Sequence, residues 1–298
     1  MGELGHVPVG TSIESPSSPP WAKTISFARD RLQSQTLIAT ITAMLLFGGT
    51  RLELGGWHSH VWTIWPLVLS LAFACIVWRL RSATGPASLL GALICLLLAS
   101  PHSFLSLERQ RPGNVISPTL PALIALFTLT FAATRFKRRA KEGVGLAEPR
   151  HGRRSSQIVA NLGFAGLCAA VGFYPGALAA LAEATADTVS SEVGQALGGP
   201  TWLLTNLRPV APGTDGGVSL RGTIAGLAAA GLVVSSGTHG LSSVSADVLV
   251  FLASTAGLFF DSLLGATIER HGWIGNDLVN FSSTAFSALL AYWLLLKL

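Results

Sequence analysis

The sequence predicts an all-α fold, a polytopic integral membrane helical bundle of about nine transmembrane helices, some of them short or re-entrant. Three observations predict it. Half of the 298 residues are hydrophobic, only 12% are charged, and the charges avoid several long windows completely. A mean hydropathy of +0.53 is more than a soluble domain could hide from water. Crossing about 30 Å of hydrocarbon takes roughly 20 apolar residues in helix, the conformation that satisfies each backbone hydrogen bond within the segment.

Taken in order, residues 1–20 are rich in Ser, Pro and Gly and lack the basic-then-apolar layout of a cleavable signal. They are an expected disordered tail, which with a short lead-in makes up residues 1–34. Uncharged windows follow at 36–50, 61–78, 86–107 and 115–134, which make 35–134 a first group of four membrane helices. The segments 36–50 and 86–100 are short enough to be re-entrant or interfacial. A basic loop spans 135–156. The window 155–182 is divided by the turn signal Gly172-Phe173-Tyr174-Pro175-Gly176, and its second half continues over 177–196 through Glu183 and Asp187. Further windows at 222–246, 245–267 and 278–296 complete a C-terminal group, 157–298, that carries the polar residues.

Basic residues orient this stack. Lys23, Arg29 and Arg31 precede the first span, and Arg79 and Arg81 follow the second. Arg135, Lys137, Arg138, Arg139, Lys141, Arg150, Arg153 and Arg154 follow the fourth. Alternating sides puts all three groups on one face, which the positive-inside rule makes cytoplasmic. Continuing the alternation brings 195–221 and 269–277 to that same face. The expected location is therefore the inner (cytoplasmic) membrane, with every polar cluster at the cytoplasmic end of a helix.

Composition also excludes function classes. A net charge of +5 would suggest nucleic acid in a soluble protein. Here the excess sits in juxtamembrane loops, where anionic membrane lipid attracts it, and no base-reading fold is visible. Cys75, Cys95 and Cys168 each fall inside an apolar span without a CxxC pair, so they read as small core residues. No histidine forms HxxxH or HExxH, which leaves zinc chemistry unsupported. Most tryptophans lie near span ends and fit interfacial belts.

The candidate site residues are the polar groups at those helix ends, because an unpaired ionisable group in hydrocarbon costs several kcal/mol and is rare without a task. Glu183 and Asp187 lie four apart and share a helix face with Ser190 and Ser191. Glu192 lies about 140° further round a regular helix, so it joins them only if the helix ends or distorts. Oxygen ligands of this kind suit Mg²⁺, which keeps waters and uses one or two carboxylates plus substrate phosphates. The plainer alternative is helix-end carboxylates paired with Arg208 or Arg221. The loop 201–219 combines prolines with Gly213, Gly216 and Gly217 ahead of a helix, an arrangement in which backbone N–H groups can converge on a phosphate. It lacks the GxxxxGK[ST] string of a Walker loop, and the alternative is a tight turn with Ser219 as helix cap. Asp261 stands alone in an apolar helix, while Asp277, Asn280 and Thr284 form one stripe of the last helix. Such a stripe binds a ligand or joins helices by hydrogen bonds. Gln157 and Asn161 form a similar pair at the start of the fifth span.

Several of these strings together resemble a known family. Gln157-Ile158-Val159-Ala160-Asn161, Ala186-Asp187-Thr188 with Ser191-Glu192-Val193-Gly194, and Pro212-Gly213-Thr214-Asp215-Gly216-Gly217-Val218-Ser219 occur in order. Asp261-Ser262-Leu263-Leu264-Gly265-Ala266-Thr267 and Asn276-Asp277 with Val279-Asn280-Phe281 follow. They resemble an integral membrane family long labelled as of unknown function, which includes the phytyl-phosphate kinase of plant and cyanobacterial tocopherol synthesis. The resemblance covers roughly residues 79–298. It implies phosphoryl transfer from a nucleoside triphosphate, CTP or ATP, to a prenyl monophosphate such as phytyl or geranylgeranyl phosphate. It further implies that Asp187 and Asp261 hold Mg²⁺, with Glu192 and Asp277 as further ligands or orienting groups. Gly213, Thr214, Gly216, Gly217, Ser219 and Arg208 would contact the triphosphate, and Asn161 and Asn280 would orient it or the acceptor. The sequence departs from the family at Glu269, where glutamine is expected in many relatives. A different class stays open: a cation- or proton-coupled transporter with Glu183, Asp187 and Asp261 along its path.

Overall fold

Helix follows helix along this chain because the backbone of an apolar segment has no other way to satisfy its polar groups in hydrocarbon. The computed structural model describes residues 25–56, 64–100, 117–143, 145–146, 152–237 and 243–298. Its helices are α1 (Phe27–Gly56), α2 (Ile64–Arg79), α3 (Gly85–Ala99), α4 (Thr119–Arg135) and the short α5 (Arg138–Gly143). After these come α6 (Ser155–Ala170), α7 (Tyr174–Leu197), α8 (Leu220–Gly237), α9 (Val244–Leu264) and α10 (Asn276–Leu295). A π-helical turn, Gly265–Glu269, extends α9.

In its described residues each predicted window falls on these helices, 155–182 on two of them, but the expected count of about nine spans is supported only in part. Four segments among the described residues are long and apolar enough to cross a membrane: Phe27–Thr50, Leu220–Gly237, Val244–Glu269 and Asn276–Leu295. The apolar helices α2, α3, α4 and α6 are 15 to 17 residues long, below the roughly 20 residues of a full crossing. Helix α7 has the length, at 24 residues, but carries Glu183, Asp187 and Glu192 and is not among those four. The expected tail, residues 1–20, lies outside the described residues, as do Arg150, His58, His60, His102 and His239. Residues 27–34, placed in the lead-in by the sequence, form the first turns of α1. The fold also departs from all-α. Between α7 and α8 three short strands, β1 (Thr201–Leu203), β2 (Pro209–Val210) and β3 (Gly217–Val218), pair antiparallel in the order β2-β1-β3. Strands of two or three residues carry too little alternation to be read from a sequence.

The architecture is organised around α7. All residues from Tyr174 to Ala186 are buried, and the helix packs against α4, α6, α8, α9 and α10. A helix buried on every side needs small residues, because without a hydrophobic force between helices in lipid, close backbone approach supplies the contact. Ala177, Ala179, Ala180, Ala182 and Ala186 are each fully buried and provide it. The tightest crossing is with α8, where Gly222 and Gly226 repeat at a four-residue interval. A Cβ at Gly226 would lie 2.6 Å from the Ala186 carbonyl oxygen, and one at Gly222 2.4 Å from that of Ser190. Side chains cannot enter there without parting the helices.

This crossing makes a prediction. Gly226→Val should lower the melting temperature in detergent by the equivalent of about 1–3 kcal/mol, the usual cost of overpacking. Gly91→Ala, on α3 where a Cβ meets nothing within 4 Å, should be neutral or stabilising by up to about 1 kcal/mol through helix propensity. Equal melting temperatures for the two variants would show that the α7–α8 contact is not close.

Candidate functional site

Five parts of the chain meet at one end of the bundle and enclose a polar cavity of about 290 Å³. The start of α6 supplies Arg153, Gln157 and Asn161, and the second half of α7 supplies Asp187, Thr188, Ser191 and Glu192. The sheet-bearing loop supplies residues 212–219, the end of α9 with its π-helical turn Asp261, Gly265 and Glu269, and the start of α10 Asn276 and Asn280.

Local chain geometry fixes each wall. In the loop, β1 holds β2 and β3 on either side (Thr201 opposite Val210, Leu203 opposite Gly217), which ties down both ends of residues 211–216. Thr214 Oγ1 donates to the Ala211 carbonyl at 2.7 Å, and Gly217 N donates to the Thr214 carbonyl at 2.8 Å. Gly213 and Gly216 have φ of +82° and +70°, the left-handed region that favours glycine. At Gly216 space demands glycine as well, since a Cβ would stand 2.2 Å from the Ala266 backbone nitrogen. The loop is thus pressed onto the π-helical turn, and the extra residue of such a turn displaces backbone from the regular helical path, a feature frequent at functional sites.

Arg153 is set by backbone bonds to the turn between α2 and α3. Its N–H donates to the Ser82 carbonyl at 2.9 Å and its carbonyl accepts from Thr84 N at 3.0 Å. Its guanidinium reaches Thr188 Oγ1 at 3.4 Å, one residue after Asp187. Asn161 Nδ2 donates to the Gln157 carbonyl at 2.9 Å, so the predicted pair on α6 faces the same cavity.

The acids divide between two settings. Asp187 and Asp261 enter the cavity from α7 and α9, and Asp261 Oδ2 accepts from Ser283 Oγ of α10 at 3.0 Å. Glu183 lies one turn from Asp187, 1% exposed, with Oε1 lacking a hydrogen-bond partner. Glu192 also lines the cavity, although α7 continues unbroken to Leu197. Its carboxylate forms a buried ion pair with Lys141 of α5, whose Nζ donates in addition to the Ala133 and Thr134 carbonyls at 3.2 and 3.0 Å. Lys141 thereby closes the C-terminal end of α4 while satisfying Glu192. The plainer alternative of pairing with Arg208 or Arg221 is not what forms. Arg221 donates instead to the Leu197 carbonyl at 3.2 Å.

Arg208 and Asp277 lie away from the cavity walls, as does Thr284 of the same stripe. Arg208 is on the exposed connection between β1 and β2. Asp277 accepts from Ser34 Oγ of α1 at 2.7 Å, in a seam where Gln33 also bonds the Trp273 carbonyl and Gly275 N. The cavity face of α10 is the pair Asn276 and Asn280, four apart, and Asp277 lies about 100° round the helix from Asn276. Ser219 fits both of its readings, since Oγ accepts from Gly222 N at 3.2 Å at the start of α8 while the residue lines the cavity. Asn276 and Glu269 are cavity residues the sequence left without a role, and Arg153, beside the pair Gln157 and Asn161, joins them.

The donor set bears on which ion would suit the cavity. Among the described residues no group of three or more His, Cys, Asp or Glu side chains could hold a metal ion, so an all-protein cage is absent from them. Of the five carboxylates lining the cavity, Asp187 and Asp261, with the unpartnered Glu183 oxygen one turn away, fit a hydrated divalent cation that takes its remaining ligands from phosphate.

Comparison with known proteins gives the chain relatives. Residues 68–288 match the family model described as integral membrane protein DUF92. An uncharacterized membrane protein of Synechocystis is 36% identical over 183 residues, 57% of this chain and 70% of that protein. The chloroplastic protein VTE6 of Arabidopsis thaliana is 34% identical over 184 residues, 56% of this chain and 55% of that protein. An uncharacterized membrane protein of Methanocaldococcus jannaschii is 35% identical over 119 residues, 39% of this chain and 48% of that protein. The chain thus spans about half the length of the second and third of these. No solved structure matches it.

The ion pair behind the cavity predicts an asymmetric response. Lys141→Met should cost about 3–5 kcal/mol, because it leaves a buried carboxylate uncompensated, whereas Lys141→Met combined with Glu192→Leu should recover most of that loss. Denaturation of the purified single and double variants checks this. A double variant no more stable than Lys141→Met would show that the two side chains act independently.

Proposed function

The chain belongs to the integral membrane family DUF92, and from that premise we propose that it is a membrane kinase. It moves a phosphoryl group from a nucleoside triphosphate, CTP or ATP, to a prenyl monophosphate such as phytyl or geranylgeranyl phosphate, giving the diphosphate. The observation that carries this reading is the meeting of Asp187 and Asp261, from two separate helices, with the glycine loop 213–217 around one cavity. Phosphoryl transfer asks a protein for little covalent chemistry. It asks for fixed donors and charge neutralisation around the moving group.

In this reading the loop N–H groups and Thr214 cradle the triphosphate, and Asn161, Asn276 and Asn280 orient it against the acceptor. Mg²⁺, held by Asp187 and Asp261, would neutralise charge on the phosphate oxygens. An oxygen of the acceptor monophosphate attacks the terminal phosphorus, the bond from that phosphorus to the bridging oxygen breaks, and the nucleoside diphosphate leaves with the electron pair. Arg153 offsets negative charge on the side facing α6. Glu192, satisfied by Lys141, positions the end of α7, and Asp277 positions α10 against α1. The basic residues 79–81 and 135–154 support a cavity that faces the cytoplasm from the inner membrane, the side on which a nucleotide would be available. A transporter is the weaker reading, because these acids gather at one end of the bundle, whereas transport sites usually lie near the midplane.

The test uses purified full-length protein in lipid nanodiscs with Mg²⁺, γ-labelled CTP or ATP, and farnesyl, geranylgeranyl or phytyl monophosphate. A labelled prenyl diphosphate is expected, and Asp187→Asn and Asp261→Asn should each lower kcat by about 100-fold or more without loss of folding. If none of the donors yields a diphosphate with any acceptor, the kinase reading falls.

A further inference from the structure

A second and larger cavity, about 740 Å³, adjoins the polar one and differs from it in chemistry. Its walls are apolar and come from four helices: Phe73 of α2, Ala87 of α3, Leu126 and Phe127 of α4, and Ile158 of α6, with Ala184 of α7 as floor. Its rim is basic. Arg81, Arg135, Lys137, Arg138, Arg139 and Arg153 all border it, with Glu142 as the acid among them. Glu142 pairs with Arg138 at 3.1 Å, and Arg135 donates to the Leu80 carbonyl at 3.0 Å. The side chains of Arg81 and Arg139 make no hydrogen bond or ion pair to another described residue. The volume is within the roughly 300–1,000 Å³ of small-molecule sites. Arg153 and Asn161 belong to the linings of both cavities. A molecule whose chain fills the apolar groove therefore brings its head to the wall behind which Asp187 lies.

We infer that this groove between α2, α3, α4 and α6 is the acceptor site, and that it holds the chain of a single-chain isoprenoid monophosphate with its phosphate against Arg81, Arg139 and Arg153. The inference rests on the kinase reading and adds to it where the lipid binds and what selects it. Charge complementarity decides the head: a net excess of cations at the rim suits a monophosphate and gives an alcohol nothing to pair with. The length of apolar wall selects the chain. Gly91 of α3 lines the groove, and a Cβ there meets nothing within 4 Å, so a larger side chain at this position enters the groove and takes the place of part of the lipid chain.

Binding is measured on the full chain in phosphatidylcholine nanodiscs, without nucleotide, using geranylgeranyl monophosphate, geranyl monophosphate and geranylgeraniol as probes. The twenty-carbon phosphate should bind at least tenfold more tightly than either the ten-carbon phosphate or the alcohol. Gly91→Trp should abolish the preference for the longer chain and leave geranyl monophosphate within threefold. Gly91→Leu should have the same effect in smaller measure. Arg81→Gln with Arg139→Gln should abolish the preference for phosphate over alcohol while binding of the alcohol stays unchanged. Inorganic phosphate should fail to compete. Displacement of the probe by phosphatidic acid as effectively as by unlabelled geranylgeranyl monophosphate would assign the groove to bilayer phospholipid and overturn the inference. So would wild-type affinities in all three variants. The two readings separate in the transfer assay. Binding as described with no diphosphate formed overturns the kinase and leaves the groove standing. Diphosphate formed from the twenty-carbon acceptor at the wild-type rate by Gly91→Trp overturns the groove and leaves the kinase standing.

Discussion

A helix that carries Glu183 and Asp187 through an apolar bundle is tolerable only if protein surrounds it, because a carboxylate facing hydrocarbon costs several kcal/mol. The rest of the structure follows from that constraint. Helix α7 is enclosed by α4, α6, α8, α9 and α10, and enclosure at such close range demands alanine along its length and glycine where α8 crosses it. The same enclosure brings the ends of α6, α9 and α10 to the acidic end of α7, which is where the cavity forms. Packing and site are consequences of one requirement.

The loop between α7 and α8 completes the site in a different way. A bundle of helices has few backbone N–H groups to offer at its interior, since nearly all are used within the helices. The three short strands hold a glycine-rich segment over the cavity, and the π-helical turn Gly265–Glu269 is approached closely by Gly216 at Gly265 and Ala266. Side-chain acids then share one space with the glycine-rich loop. In the proposed reading the loop's backbone supplies the donors that phosphate chemistry with a divalent cation uses. Beside it, the apolar groove with its basic rim gives a lipid chain a place that does not cross the polar cavity.

Much of this was legible in the residues. The helical windows stood out because charge is absent from them. The sharing of one end by Asp187, Asp261, Asn161, Asn280 and the glycine loop followed from alternating the spans against the basic residues, and these residues do line one cavity. What could not be read depended on contacts between distant segments. Lys141 looked like one more basic residue of a loop, and only the fold of α5 against α7 shows it buried against Glu192. Asp277 belonged to a plausible stripe, yet Ser34, some 240 residues away in the chain, draws it out of the cavity and leaves Asn276 there. Spans were read from composition, which does not fix helix length, and α2, α3, α4 and α6 are 15 to 17 residues long. The groove had no sequence signature, because its walls are ordinary apolar residues of four helices.

Side-specific thiol labelling tests the central claim, that one cavity open to the cytosol is built from the loop and the acidic end of α7. Thr214→Cys and Ser191→Cys, each in a chain lacking Cys75, Cys95 and Cys168, would be exposed in oriented membranes to a membrane-impermeant maleimide with and without Mg²⁺ and nucleotide. Both positions should react from the cytoplasmic side, and the nucleotide should protect both. Labelling of the two from opposite sides, or at rates indifferent to nucleotide, would contradict the account.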